Sequence, residues 1–277
     1  MGAVLIDLHC HILPGVDDGA KDLGTSLEMA KMAVADGIQA IACTPHILPG
    51  VYPNSGPDIR RSVDHLRTEI EAAGIPLRLT YGADVHVAPD LTAQLRNGQA
   101  LSLHGGRYFL FEPPHHVPPP RLADQVFSLL SAGFVPIITH PERLTWIEKQ
   151  YSLITALVKS GALLQITAGS LTGRFGKRPK YWSERILDEG LCHILATDAH
   201  DPDGRPPKLA EGRDVVARRF GSREALNTVF ARPLGILSNV LPSELEPLPE
   251  STGAPEQPQR SSFWGDMLKR VAAGGRR

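Results

Sequence analysis

The chain has 277 residues, 42% of them hydrophobic, and a formal net charge of -1, so it can bury a full core and has no general attraction for nucleic acid or anionic lipid. Its three cysteines, Cys10, Cys43 and Cys192, are odd in number and fit reduced thiols better than a disulfide framework. No basic segment leads into an N-terminal apolar stretch, and no run approaches about 18 uninterrupted apolar residues, so a soluble, cytoplasmic protein is expected.

Seven short runs rich in Val, Ile, Leu and aromatics predict buried parallel strands: Val4 to Leu8, Ile38 to Cys43, Leu77 to Tyr81, Tyr108 to Phe111, Val135 to Thr139, Leu163 to Ile166 and His193 to Ala196. Helical segments are expected between them, at Ser26 to Ala35 with Thr25 as N-cap and Gly37 as stop, then Asp58 to Ala73, Arg121 to Ala132, Tyr151 to Ser160, Trp182 to Glu189 and Pro207 to Phe220. The strand and helix order is that of an α/β fold. Seven strands, nearly all followed by a chemically competent residue, predict a closed or nearly closed barrel one strand short of eight, with its site at the C-terminal strand ends. The catalytic domain is expected over 1–241. From Pro242 to Arg260 the chain is rich in Pro, Glu, Ser and Gln and reads as a disordered linker. Within Ser262 to Arg277, Phe263, Trp264, Met267, Leu268 and Val271 fall at helical spacing beside basic residues. The alternatives there are a frayed tail, favoured by the marginal stability of short helices, and a docking helix for a membrane or partner.

The strand ends carry the chemistry. His9 and His11 in D-L-H-C-H are two residues apart, which points both side chains to one side of an extended segment, and Asp198 and His200 in T-D-A-H repeat the spacing. Glu112 closes the apolar run F-L-F, where a carboxylate is expensive unless paired or metal-bound, and it is the natural bridge between two ions. His46 and His140 each follow a strand directly, and Asp84 and His86 close another region of apolar chain. Imidazole and carboxylate together suit zinc, manganese or iron. Arg143 and Arg205 lie within a few residues of His140 and His200, and guanidinium is the preferred fork for phosphate oxygens. His115 and His116, in P-P-H-H-V-P-P-P, are expected in a stiff loop that shapes access to the site. None of the cysteines is followed six positions later by arginine, since Val16, Pro49 and Asp198 stand there, which excludes cysteine-phosphatase chemistry. No G-x-x-x-x-G-K-[ST] loop is present.

The motifs D-L-H-C-H-I-L-P-G-V-D-D-G, T-P-H, G-A-D-V, F-L-F-E, T-H-P-E-R and T-D-A-H-x-x-x-G-R-P-P, spread from about Ile6 to about Leu237, resemble those of the polymerase and histidinol phosphatase (PHP) superfamily. Within it they are similar to the bacterial manganese-dependent tyrosine-protein phosphatases of capsule and exopolysaccharide biosynthesis. The resemblance implies a distorted (β/α)7 TIM-like barrel and three divalent ions, manganese first, with iron or zinc as alternatives. It places His9, His11, Glu112 and Asp198 on the first ion, Glu112, His46 and His140 on the second, and Asp18, Asp84 and His200 on the third. It also implies Arg143 and Arg205 as phosphate holders and Asp198 or His200 as an aid to proton transfer. The implied substrate is phosphotyrosine on a bacterial tyrosine autokinase. A small-molecule phosphatase of the histidinol-phosphate type and a non-catalytic metal-binding scaffold are the alternatives. Asp84 is the one departure, since those phosphatases usually carry glutamate there.

Overall fold

A computed structural model describes residues 4–251. The expected α/β alternation is present. The strands are β1 (Leu5–Cys10), β2 (Ile38–Cys43), β3 (His46–Ile47), β4 (Arg78–Tyr81), β5 (Asp84–His86), β6 (Tyr108–Glu112), β7 (Val135–Thr139), β8 (Leu163–Thr167) and β9 (Ile194–Ala196). The helices are α1 (Leu23–Asp36), α2 (Gly56–Ala72), α3 (Leu91–Arg96), α4 (Leu122–Ser131), α5 (Ile147–Lys159), α6 (Ala168–Thr172), α7 (Lys177–Asp188), α8 (Ala210–Leu226) and α9 (Arg232–Leu237), with a π-helical turn over Asn227–Ala231.

All strand pairs are parallel. They form a three-stranded sheet in the order β1-β2-β4 and a six-stranded sheet in the order β3-β5-β6-β7-β8-β9. Among the described residues nine strands replace the expected seven, because two runs are interrupted and then resume. Thr44-Pro45 separates β2 from β3 and Gly82-Ala83 separates β4 from β5, while Gly82 N–H donates to Cys43 O (3.0 Å) and Asp84 N–H to Pro45 O (3.1 Å). Proline has no N–H for a ladder, and a Cβ on Gly82 would stand 2.8 Å from Leu103, so the chain bends where it passes that side chain. On the far side, Asp198 N–H donates to His9 O (2.8 Å) and His11 N–H to Ala199 O (2.9 Å), which lays the chain after β9 alongside the end of β1.

Period-2 alternation decides which side chains meet. Phe109, Phe111, Leu164 and Ile166 pack under the helices, whereas Tyr108, Leu110, Ile137, Leu163 and Ile194 join a second apolar cluster. Two residues beyond Leu110 on the same face comes Glu112, and two beyond Leu163 comes Gln165. Both are buried. The apolar layer therefore ends in a polar one at the C-terminal ends of the strands.

α1 begins three residues earlier than expected because Asp22, not Thr25, is its N-cap and accepts from Thr25 N–H (2.8 Å). Gly37 closes it in the left-handed region at φ 96°. Of the stretch read as a linker, Pro242–Ser251 is described and hydrogen-bonded to the domain, Arg232 donating to Glu246 O and Pro247 O and Ser251 Oγ to Asp188 O. The rest of that stretch and the Ser262 to Arg277 segment lie outside the described residues.

Candidate metal centre

The residues expected as ligands lie at or just beyond the C-terminal ends of β1, β6, β7 and β9, in the loop after β1 (Asp18) and at the start of the short β3 (His46) and β5 (Asp84), and their side chains converge. His9 and His11 leave β1 with Nε2 atoms 3.1 Å apart. Asp198 Oδ1 stands 3.4 Å from His9 Nε2 and 3.6 Å from His11 Nε2. Asp84 Oδ2 lies 3.4 Å from His9 Nε2 and 3.5 Å from His46 Nδ1. Glu112 is 3.3 Å from His46 Nδ1 through Oε2 and 3.6 Å from His140 Nε2 through Oε1. Asp18 Oδ1 is 3.5 Å from both His46 Nε2 and His200 Nε2.

Among the described residues, four groups could each hold an ion, with their ligand atoms all within 4.8 Å of one another: His9, His11 and Asp84; His11, Asp18, His46 and His200; His46, His86 and Glu112; and Glu112, His115 and His140. Glu112 belongs to two of them, as a bridging carboxylate would. Asp84, however, groups with His9 rather than with Asp18 and His200. The strand register explains this, because Asp84 pairs with His46 across β3 and β5, and His86 pairs with Glu112 across β5 and β6. Residues in register on neighbouring strands point the same way, so Asp84 faces the His46 side and His86 Nε2 comes within 2.6 Å of Glu112 Oε2.

Apart from the imidazole–carboxylate contacts above, several of these buried atoms have no hydrogen-bond partner: His46 Nδ1, both Asp84 oxygens, His86 Nε2, Glu112 Oε2 and His140 Nδ1. Leaving a buried polar atom unsatisfied costs about 1–3 kcal/mol. Three other histidines have their Nδ1 atoms engaged: His9 with Gln165 Oε1 (2.8 Å), His11 with Asp17 Oδ2 (2.7 Å) and His200 with Asp198 O (3.0 Å). With Nδ1–H donating, each Nε2 lone pair is turned to the centre, as for outer-shell partners of metal-bound histidine. The donor set, its convergence and its orphaned lone pairs fit divalent ions.

Sequence reasoning missed Asp17 and Gln165. Gln165 has a signal, a polar residue in the apolar run L-L-Q-I-T. Asp17 has almost none beside Asp18, yet its carboxylate also accepts from Gly19 N–H (3.0 Å) and His46 N–H (3.0 Å). A Cβ on Gly19 would sit 2.1 Å from His11 O, so the V-D-D-G turn needs glycine in order to fold against the His11 backbone. Asp7 lies one layer below and accepts from Thr197 N–H (3.0 Å), tying β1 to the segment that carries Asp198.

The electrostatics are those of dense, mutually compensating charge. Burial lowers His9, but the Asp198 and Asp84 carboxylates override it and push the imidazole up to about 10. Burial and the neighbouring His200 take His11 down to about 3. Asp198 is held well below the usual carboxylate range against its own burial, chiefly by His9 and Arg205. Asp84 is raised by burial and by Glu112. His140 and Asp198 both have left-handed backbone, at φ 32° and 52°, a conformation that costs on the order of 1–3 kcal/mol in a residue other than glycine and is concentrated at functional sites.

One wall is cationic. Arg143 Nη1 and Arg205 Nη2 each reach Asp198 Oδ2 at 2.5 Å, and both guanidiniums lie over the Phe175 ring, 4.7 and 5.9 Å from its centroid. Together with Asp18, His46, Glu112 and His140 they line a cavity of about 260 Å³. A larger groove of about 490 Å³ between Val87 and α4 contains none of these ligand groups. The three thiols stand apart from the chemistry, and burial pushes Cys43 up to about 12. His65 and His104 are exposed, as expected.

The sequence pattern of the capsular polysaccharide synthesis family CpsB/CapC matches residues 5–238. The chain belongs to this family. Its CpsB/CapC relatives include the tyrosine-protein phosphatase YwqE of Bacillus subtilis, 42% identical over 220 residues that cover 79% of this chain and 86% of that protein. The tyrosine-protein phosphatase CpsB of Streptococcus pneumoniae is 26% identical over 242 residues, covering 86% of this chain and all of that one. Among solved structures, one reported for YwqE and CpsB as unique metal-dependent tyrosine phosphatases superposes with a TM-score of 0.81 at 38% identity, over 85% of this chain and 95% of that one. The CpsB/CapC relationship thus agrees with the resemblance read from the motifs.

Proposed function

We propose that this CpsB/CapC protein is a metal-dependent phosphatase that hydrolyses phosphotyrosine on a protein substrate. The observation that carries the reading is the pairing, in one cavity, of convergent His and carboxylate groups with two arginines that already share a single anionic oxygen, Asp198 Oδ2. A phosphate oxygen offers the same acceptor to the same two guanidiniums. The naming of the relatives as tyrosine-protein phosphatases supports the choice of leaving group.

His9, His11, Asp18, His46, Asp84, Glu112, His140, Asp198 and His200 would hold divalent ions, which would supply Lewis acidity toward the phosphate and lower the pKa of water for attack. Three ions, with manganese preferred, are inferred from the family resemblance, and the side chains form four overlapping groups able to take such ions. The protein does the rest. Arg143 and Arg205 bind and orient the phosphate and neutralise charge as the P–O bond to the phenol breaks. Asp198 or His200 aids proton transfer, and Phe175 backs the two arginines. The fold that carries this is read as a distorted (β/α)7 barrel, with β2 and β3 as one bent strand, β4 and β5 as another, and the His9–Asp198 and His11–Ala199 hydrogen bonds at the seam between β1 and β9.

The catalytic domain is assigned to 1–241, with the residues from 242 onward as a tail whose described part lies against it. A bacterial tyrosine autokinase is the proposed partner, and the family's link to capsular polysaccharide synthesis supports it. No helix among the described residues is long and apolar enough to cross a membrane, and the three unpaired thiols accord with a cytoplasmic site of action. The test is an assay of the full chain on a phosphotyrosine peptide. Turnover is expected to require added manganese, to vanish on chelation and to survive replacement of all three cysteines by serine. Full turnover after exhaustive chelation, with metal absent by elemental analysis, refutes the reading.

A further inference from the structure

The loop Pro113–Pro120, which leaves β6 just after Glu112, is more firmly held than an access loop requires. Thr145 N–H donates to His115 O (2.9 Å), and Thr145 Oγ–H also donates to His115 O (3.0 Å). Trp146 Nε1–H donates to Pro114 O (2.9 Å). All these donors lie just beyond His140 and Arg143, so the loop is fastened to the chain that follows β7. Prolines at 113, 114, 118, 119 and 120 fix φ at most of its other positions. The consequence is a specific placement of one side chain. The His115 ring is half-buried, lines the 260 Å³ cavity and stands 5.4 Å from the His140 ring, and its ligand atom lies within 4.8 Å of those of Glu112 and His140. His116, next to it, is exposed and belongs to none of the ligand groups.

We propose that His115 is a further ligand of the ion held by Glu112 and His140, so that the proline-rich loop is a wall of the substrate pocket tethered through the metal. The proposal rests on the metal-dependent reading above. Glu112, His140 and His46, the set that the resemblance assigns to this ion, leave at least one position of a four- to six-coordinate cation open. A further protein ligand on a preorganised loop fills it at little entropic cost, because the backbone that carries it is already fixed by proline and by the Thr145 and Trp146 hydrogen bonds. The geometry thus gives His115 a more specific role than the shaping of access that its sequence context suggests.

The experiment is calorimetric titration of the chelator-stripped full chain with Mn²⁺, for wild type and for His115→Ala, His115→Gln and His116→Ala, with circular dichroism to show that each is folded. His115→Ala and His115→Gln are expected to weaken one class of site by about tenfold or more while the remaining sites are unchanged, and His116→Ala to titrate as wild type. Amide hydrogen exchange over 113–120 is expected to slow on Mn²⁺ addition in wild type and not in His115→Ala. Wild-type Mn²⁺ affinity and stoichiometry in both His115 variants overturn the proposal, and a fall in turnover with metal binding intact also overturns it, since His115 would then act on substrate. A wild-type protein that binds no Mn²⁺ at all overturns the metal-dependent reading instead.

Discussion

Among the described residues, the ionic cluster around Arg232 and the one at the strand ends are both buried, and they differ in what they leave unpaired. Arg232, 1% exposed, donates to Glu224 Oε1 (2.7 Å) and Oε2 (3.0 Å), to His193 O (3.2 Å), and to Glu246 O and Pro247 O (2.8 and 2.5 Å). Every nitrogen of the guanidinium is used, so the group is finished as architecture and binds the end of the domain to β9 and the π-helical turn. At the strand ends the polar groups are as deeply buried, yet apart from imidazole–carboxylate contacts of 2.6–3.5 Å the Asp84 oxygens, Glu112 Oε2 and three imidazole nitrogens have no hydrogen-bond partner. A buried charge that is fully paired stabilises a shape, whereas one held in register but unpaired is waiting for a ligand.

Substitution at the two clusters should therefore fail in opposite ways. Glu112→Ala removes the carboxylate shared by two ligand groups, and turnover on a phosphotyrosine peptide should fall by on the order of a thousandfold, about 4 kcal/mol in barrier. Its thermal midpoint in the presence of chelator should stay close to that of wild type, because the lost contacts to His46, His86 and His140 are offset by removal of the like charge facing Asp84. A variant that loses its fold along with its activity would erase the distinction. Arg232→Met should do the reverse, leaving Mn²⁺ affinity intact and lowering stability by about 3–5 kcal/mol, since Glu224 is then buried without a partner. Denaturant unfolding measures it, and the double variant Arg232→Met/Glu224→Leu should recover much of the loss.

A smaller effect sharpens the contrast through pH. His193, beside Arg232 and remote from the ligand groups, accepts from Leu164 N–H at Nδ1 (3.1 Å), and burial followed by the Arg232 charge lowers it to about 4. The unfolded chain, with its histidine near 6.5, binds the extra proton as pH falls below that value while the folded chain does not, so stability is lost from about pH 6.5 down toward 4. Between pH 7 and 5 this one group should remove about 2 kcal/mol. His193→Gln, which keeps an acceptor for Leu164 N–H, should flatten the dependence in that window. An unchanged slope would mean that the imidazole is already protonated in the folded protein.

How much of this was readable in advance follows from the same contrast. Strands such as Ile38–Cys43 and Val135–Thr139 have the bounds that their apolar runs predict, and in Val135–Thr139 burial on both faces leaves a continuous hydrophobic signal. The two- and three-residue strands His46–Ile47 and Asp84–His86 left no such signal. Their pairing comes from neighbours, and with it the register that turns Asp84 toward His9 and His46 and brings His86 to Glu112. The ligand types were legible because few other reasons place His or Glu at the end of an apolar strand. Their grouping was not, since it depends on cross-strand register and on the left-handed backbone at His140 and Asp198. Asp17 and Phe175 escaped notice for a related reason, as each acts on a residue distant in sequence.

Phe175 offers the finest test of the comparison, because it touches the site without belonging to either cluster. Its ring lies beneath Arg143 and Arg205, which ion-pair with the same Asp198 oxygen, so it restrains two cations that would otherwise separate by mutual repulsion. A cation–π contact of this half-buried kind is worth about 0.5–1 kcal/mol. Phe175→Leu keeps the apolar surface and removes the quadrupole. It should raise KM for a phosphotyrosine peptide a few-fold and weaken inhibition by inorganic phosphate to the same degree, leaving Mn²⁺ affinity and thermal stability near wild type. Phe175→Tyr should restore both constants, since the ring face is retained. If Phe175→Leu instead lowered kcat alone with phosphate inhibition unchanged, the arginines would be positioned by Asp198 without help from the ring, and the cationic wall would owe its geometry to the metal-site carboxylate.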